Sequence, residues 1–152
     1  MLNTTLCYIE KDGKYLMIHR TKKKNDMNKD KWLGIGGKLE AGESPFDCAR
    51  REIREETGLS TVELSYRGII TFVSDEYGTE YMHLFSSHKF SGDIDYNCNE
   101  GELEWVDKSR IYDLPIWEGD KIFFRLLETE SRFFSLKLCY EGDKLVSHTL
   151  EI

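Results

Sequence analysis

Hydrophobic and polar positions divide the chain into a strand-rich opening, one charged helix, a second block of strands, a second helix and a closing hairpin. Residues 4–9 and 15–20 are β-rich runs flanking Lys11-Asp12-Gly13-Lys14. Asp-Gly supplies the positive φ that tight turns need, so the two runs are predicted to form a hairpin. Residues 32–39 follow as a short extended piece. From Pro45 the period lengthens, with Phe46, Ala49, Ile53 and Thr57 recurring as a helical apolar stripe. Ser44 is a suitable N-cap, Pro45 fits the first turn, and Gly58 supplies a left-handed stop.

Residues 63–73 and 79–90 read as strands separated by Ser74-Asp75-Glu76-Tyr77-Gly78, and residues 102–106 as a third. A turn or short helix is expected over 107–114. The segment 115–120 then opens a helical run in which Ile122, Phe123, Leu126 and Leu127 share a face. Near the end, Phe134, Leu136, Leu138 and Tyr140 alternate with Phe133, Ser135, Lys137 and Cys139, as in a half-buried strand. A hairpin about Gly142-Asp143 closes the chain. No linker or repeat interrupts this order, and 152 residues suit one domain over 1–152. The expected architecture is an α/β/α sandwich, a mixed sheet between two helices.

Charge makes the first helix unusual. Glu52, Glu55 and Glu56 fall within an arc of roughly 100° beside the apolar stripe. Like charges four residues apart destabilise a helix by a few tenths of a kcal/mol, so Glu52 and Glu56 call for a neutralising partner, and a hard divalent cation fits. Upstream, Gly36 and Gly37 let the backbone approach a ligand or metal closely. Lys38, next in line, can balance phosphate charge. The lysine-rich segment 21–31 has too little apolar content to pack and is predicted to be a solvated loop. Its place before the glycines also lets it overhang a site, with Lys23 or a neighbour touching phosphate and Met27 lying against a base.

Residues 37–59, GKLEAGESPFDCARREIREETGL, resemble the Nudix box: Gly37, Glu43, Arg51-Glu52-Ile53, Glu55-Glu56 and Gly58-Leu59 fill its defined positions. The resemblance implies the Nudix fold and cleavage of nucleoside diphosphates linked to another group. It further implies Mg²⁺, with Mn²⁺ as a substitute, held by Glu52, Glu55 and Glu56 and by a backbone carbonyl at Gly36 or Gly37. Arg51 would orient a carboxylate. Glu100, from the loop over 92–102 and a few residues before Trp105, would assist the metal or the attacking water, and either it or one of the helix glutamates would complete the base function.

Outside the box the chain resembles the MutT-like oxidised purine nucleoside triphosphatases, which implies hydrolysis of substrates such as 8-oxo-dGTP to the monophosphate and pyrophosphate. Trp117 and Asp120, an aromatic face beside a carboxylate at a helix entrance, suit a purine pocket. Where the mammalian type carries a base-binding asparagine this chain has Leu33, and where it carries a second aspartate this chain has Gly119. A pyrophosphatase for ADP-ribose or dinucleotide polyphosphates, and a nucleotide-binding sensor, are the competing readings within the same fold.

Bulk properties narrow the partners. A net charge of −7 and a pI near 5.2 speak against a nucleic-acid polymer, while a metal and local lysines can reverse the sign inside a phosphate site. Cys7, Cys48, Cys98 and Cys139 form no CxxC pair and are expected as free thiols in a reducing compartment. With no signal-like N-terminus and no run of membrane-spanning length, the expected location is the cytoplasm, with neither a membrane nor an obligate protein partner. The expected partner is the nucleotide substrate.

Overall fold

The computed structural model of the chain describes residues 2–21, 28, 30–97 and 101–152. Among the described residues the elements run β1 (Leu2–Lys11), β2 (Lys14–His19), β3 (Trp32–Leu33), α1 (Pro45–Thr57), β4 (Thr61–Ser74), β5 (Gly78–Ser91), β6 (Glu102–Asp107), a 3-10 turn at Ile111–Asp113, α2 (Asp120–Thr129), β7 (Phe134–Glu141) and β8 (Lys144–Glu151). The strands form one mixed sheet in the order β3-β2-β1-β5-β4-β7-β8, with β6 on the other side of β2. β1 against β5 and β4 against β7 are parallel; the remaining ladders are antiparallel.

Strand alternation sends successive residues of β1 to opposite faces. Leu6 and Tyr8 join Phe123, Phe124, Leu136 and Leu138 in the core under α2, whereas Cys7 and Ile9 join Ala49, Ile53 and Phe85 under α1. Each fully buried Phe or Ile contributes roughly 1.5–3 kcal/mol. The two helices therefore cover opposite faces, giving the expected sandwich. Its first helix ends as its caps direct: Ser44 and Asp47 form a reciprocal capping box, and Gly58, at φ 79°, donates its N–H to the Arg54 carbonyl.

One departure from regularity matters for the site. β1 and β2 pair only beside their turn, from Ile9↔Leu16 to Lys11↔Lys14, and then diverge. Residues 32–38 fill the split. Trp32 and Leu33 pair with β2, while Ile35 and Lys38 bridge to Cys7 and Thr4 of β1. The extended piece expected over 32–39 is thus a strap between two strands, with only Trp32 and Leu33 in a regular ladder. Glycine is required here: a Cβ on Gly36 would collide with the Thr5 carbonyl, and one on Gly34 would crowd the Cys7 carbonyl and the Tyr8 ring. Elsewhere the strands run a little longer than their hydrophobic alternation suggested. α2 begins at Asp120 with Gly119 as its N-cap and no side-chain cap. No described helix is long and apolar enough to cross a membrane.

Candidate active site

A cavity of about 890 Å³ opens where the strap, β1, β5 and the start of α2 meet. One end is lined by Gly36, Gly37, Lys38, Arg51 and Glu52, the other by Leu33, Phe72, Met82, Trp117 and Asp120.

At the first end Arg51 is the hub. Its Nε and Nη2 donate to the Glu43 carboxylate at 2.7 and 2.9 Å, and its Nη1 donates to Glu52 Oε1 at 2.8 Å and to Glu55 Oε2 at 3.3 Å. A further Nη2 bond to the Lys38 carbonyl, 3.0 Å, ties the helix to the strap. The bidentate pair with Arg51, helped by the Glu40 backbone, lowers the Glu43 pKa to about 2. Hydrogen bonding to Glu43, joined by Glu52, raises that of Arg51. The Glu52 carboxylate lies so close to the strap that a Cβ on Gly37 would strike it. Glu52 is 14% exposed at its side chain and Glu55 58%, while Glu56 is buried.

The two strap glycines differ in their carbonyls. That of Gly37 accepts from the Thr5 N–H at 2.9 Å and from Cys48 Sγ at 3.6 Å, whereas no hydrogen bond to the Gly36 carbonyl is found among the described residues. Cys48 is held by Thr5 Oγ1 at 3.3 Å, and burial raises its thiol pKa. It sits behind the strap, away from solvent.

At the second end Trp117, 5% exposed, packs edge-on against Phe72 and Tyr140. Its Nε1 donates to Asn28 Oδ1 at 2.7 Å, and the Lys31 ammonium lies over the ring, 4.8 Å from the centroid. Asp120 is 5% exposed; burial pushes its carboxyl pKa well above the usual range, and Lys31 opposes the shift. The Tyr140 hydroxyl accepts from the Gly119 N–H at 2.7 Å, fixing the start of α2. Here Gly119 is constrained by packing, since a Cβ would meet Leu138 and the Tyr140 hydroxyl.

An acid-rich helix and a glycine strap facing an aromatic pocket across one cavity are found within residues 2–127, which match the family model described as the NUDIX domain. The chain belongs to the Nudix family. It is 31% identical over 150 residues to the oxidized purine nucleoside triphosphate hydrolase of Danio rerio, covering 97% of this chain and 92% of the relative. An uncharacterized Nudix hydrolase of Bacillus subtilis is 32% identical over 120 residues, 76% of this chain and 72% of the relative. The crystal structure of a MutT protein from Bacillus halodurans superposes with a TM-score of 0.85 at 28% identity, covering 99% of this chain and 98% of that one.

Nudix hydrolases generally use divalent metal ions. Among the described residues, no three His, Cys, Asp or Glu side chains stand together as a ready ligand group. The Arg51 guanidinium is bonded to both Glu52 and Glu55. The donor chemistry nevertheless suits a hard cation, because the helix face and the strap offer only carboxylate and carbonyl oxygens.

Of the residues expected from the sequence, Leu33, Gly36, Gly37, Lys38, Arg51, Glu52, Trp117 and Asp120 line this cavity. Glu55 and Glu56 share the Nudix-box helix without lining it. Lys23, Met27 and Glu100 lie outside the described residues. Cys7, Cys48 and Cys139 are free thiols. Sequence reasoning passed over Glu43 as a site residue, although its fixed spacing from Arg51 marked the pair. It also passed over Phe72, Met82, Asn28 and Lys31. Alternation placed Phe72 and Met82 on one face of their strands, but nothing local says which face meets Trp117.

Proposed function

We propose that this Nudix protein hydrolyses oxidised purine nucleoside triphosphates such as 8-oxo-dGTP to the monophosphate and pyrophosphate with Mg²⁺, cleansing the cytoplasmic nucleotide pool. One observation carries the reading: a single cavity joins a pocket walled by Trp117, Phe72 and Asp120 to the strap and helix acids. An aromatic wall takes the base and its carboxylate addresses polar base edges, while the far end handles phosphate. The names of the similar zebrafish hydrolase and MutT protein agree with this assignment.

In the proposed reaction a water oxygen attacks phosphorus, its proton passes to a glutamate, and the P–O bond to pyrophosphate breaks. Glu52, Glu55, Glu56 and the Gly36 carbonyl would hold the cation, Gly36 being preferred to Gly37 because the Gly37 carbonyl already serves the sheet. When bound, the ion would offset phosphoryl charge and acidify water. Arg51 keeps Glu52 in place, a supporting role that fixes ligand geometry. Lys38, at the cavity mouth, balances the triphosphate. Glu100 or a helix glutamate serves as base.

Pyrophosphate release is to be measured with Mg²⁺ over a nucleotide panel including 8-oxo-dGTP, dGTP and ADP-ribose. The expected result is fastest turnover of the oxidised purine triphosphate. Cleavage of ADP-ribose alone, or binding without turnover, overturns the proposal.

A further inference from the structure

At the aromatic end of the cavity most of the wall is apolar: Leu33, Phe72, Met82 and the Trp117 ring. Polar side chains of the lining include Arg20, Asn28 and Asp120. Asn28 Oδ1 is engaged by the indole N–H. A second cation, Lys31, stands just behind this lining, over the Trp117 ring. Lys31 Nζ lies 4.8 Å from the centre of the Trp117 ring, and its charge acts on the Asp120 carboxyl. Its backbone is fixed, the carbonyl accepting from the Arg20 N–H at 3.0 Å, while the four-carbon stem leaves the ammonium free to move from ring face to base edge.

We infer that Lys31 is a specificity-determining residue of the base pocket, its ammonium donating to the carbonyl oxygen of a 6-oxopurine while Asp120 accepts from the neighbouring ring N–H. This rests on the purine reading of the cavity. Along the edge of a 6-oxopurine an acceptor, O6, stands next to a donor, N1–H. Adenine reverses the order, placing its amino group where the ammonium would be. Asp120 is anchored in the first turn of α2, so the carboxylate cannot trade places with the lysine. The pair therefore reads direction along the edge, which an aromatic wall alone cannot do.

The test compares Lys31→Met and Lys31→Arg with the wild type, using dGTP, dITP and dATP for kcat/KM, and dGMP and dAMP for Kd by calorimetry. The 6-oxo over 6-amino preference should fall about tenfold in Lys31→Met and persist in Lys31→Arg. An unchanged preference in Lys31→Met overturns the inference and leaves the purine reading standing. If the wild type hydrolyses none of the triphosphates, the proposed activity fails, and the ratio of the two Kd values still decides the role of Lys31. Binding of neither monophosphate overturns both.

Discussion

The two ends of the cavity are built in opposite ways. The acid end draws its side chains from one helix and the strap before it, Gly36 to Glu56, with Arg51 bonded to Glu43, Glu52 and Glu55. The aromatic end gathers Leu33, Phe72, Met82, Trp117 and Asp120 from β3, β4, β5 and the entrance to α2. Chemistry placed on one helix survives variation elsewhere in the fold, whereas a pocket assembled from distant segments changes with each of them. The reaction can thus stay constant while substrate preference drifts.

Substitutions should separate the two ends. The largest effect is expected at the acid end: Glu56→Gln, which replaces a buried carboxyl at constant size, should lower kcat by about 100-fold or more with the circular dichroism spectrum retained. Near-normal turnover would remove Glu56 from the reaction.

The strap glycines offer a sharper contrast. Gly37→Ala sets a methyl against the Glu52 carboxylate, and should reduce kcat by about tenfold or more while the melting temperature stays within a few degrees. Gly36→Ala sets it against the Thr5 backbone and should cost about 1–3 kcal/mol of stability in urea titration. Equal behaviour of the two variants would contradict the division of labour.

A smaller change is expected at the aromatic end. Trp117→Ala would cost about 3–5 kcal/mol of packing, so Trp117→Phe is the cleaner probe. It keeps the ring against Phe72, loses the Nε1 bond to Asn28, and should raise KM for purine triphosphates about threefold to tenfold. An unchanged KM would dismiss stacking on this ring.

The smallest effect concerns acid. Because Arg51 depresses the Glu43 pKa to about 2 from 4.5, the pair's contribution to stability is full above about pH 4.5 and is lost as pH falls toward 2. Glu43→Gln should flatten urea-unfolding stability between pH 4.5 and 2.5; an undiminished slope would assign it to other carboxylates.

The same contrast explains what could be read from the sequence. The helix from Pro45 to Thr57, its Ser44 and Gly58 caps and the acids on one face are all local consequences of spacing, and the structure contains them at those positions. Trp117 and Asp120 were legible as an aromatic and an acid at a helix start, and both reach the cavity. Their neighbours were not, because Phe72 meets Trp117 only through sheet order, the parallel β4–β7 ladder and the packing of α2. Lys31 was hidden by company: among so many lysines, its place over the Trp117 ring depends on the strap's hydrogen bonds to both strands. The divergence of β1 and β2 that admits the strap leaves no mark in hydrophobic periodicity.

That strap touches both ends of the cavity, with Leu33 at the aromatic wall and Lys38 at the acid end. Six residues of extended chain cover at most roughly 20 Å. Clamped to β2 at one end and to β1 at the other, it cannot stretch or slide without breaking sheet hydrogen bonds. It therefore fixes the spacing between Leu33 and Lys38 on the cavity wall. A one-residue insertion would break its register with β1 or β2 and turn the side chains beyond it to the opposite face.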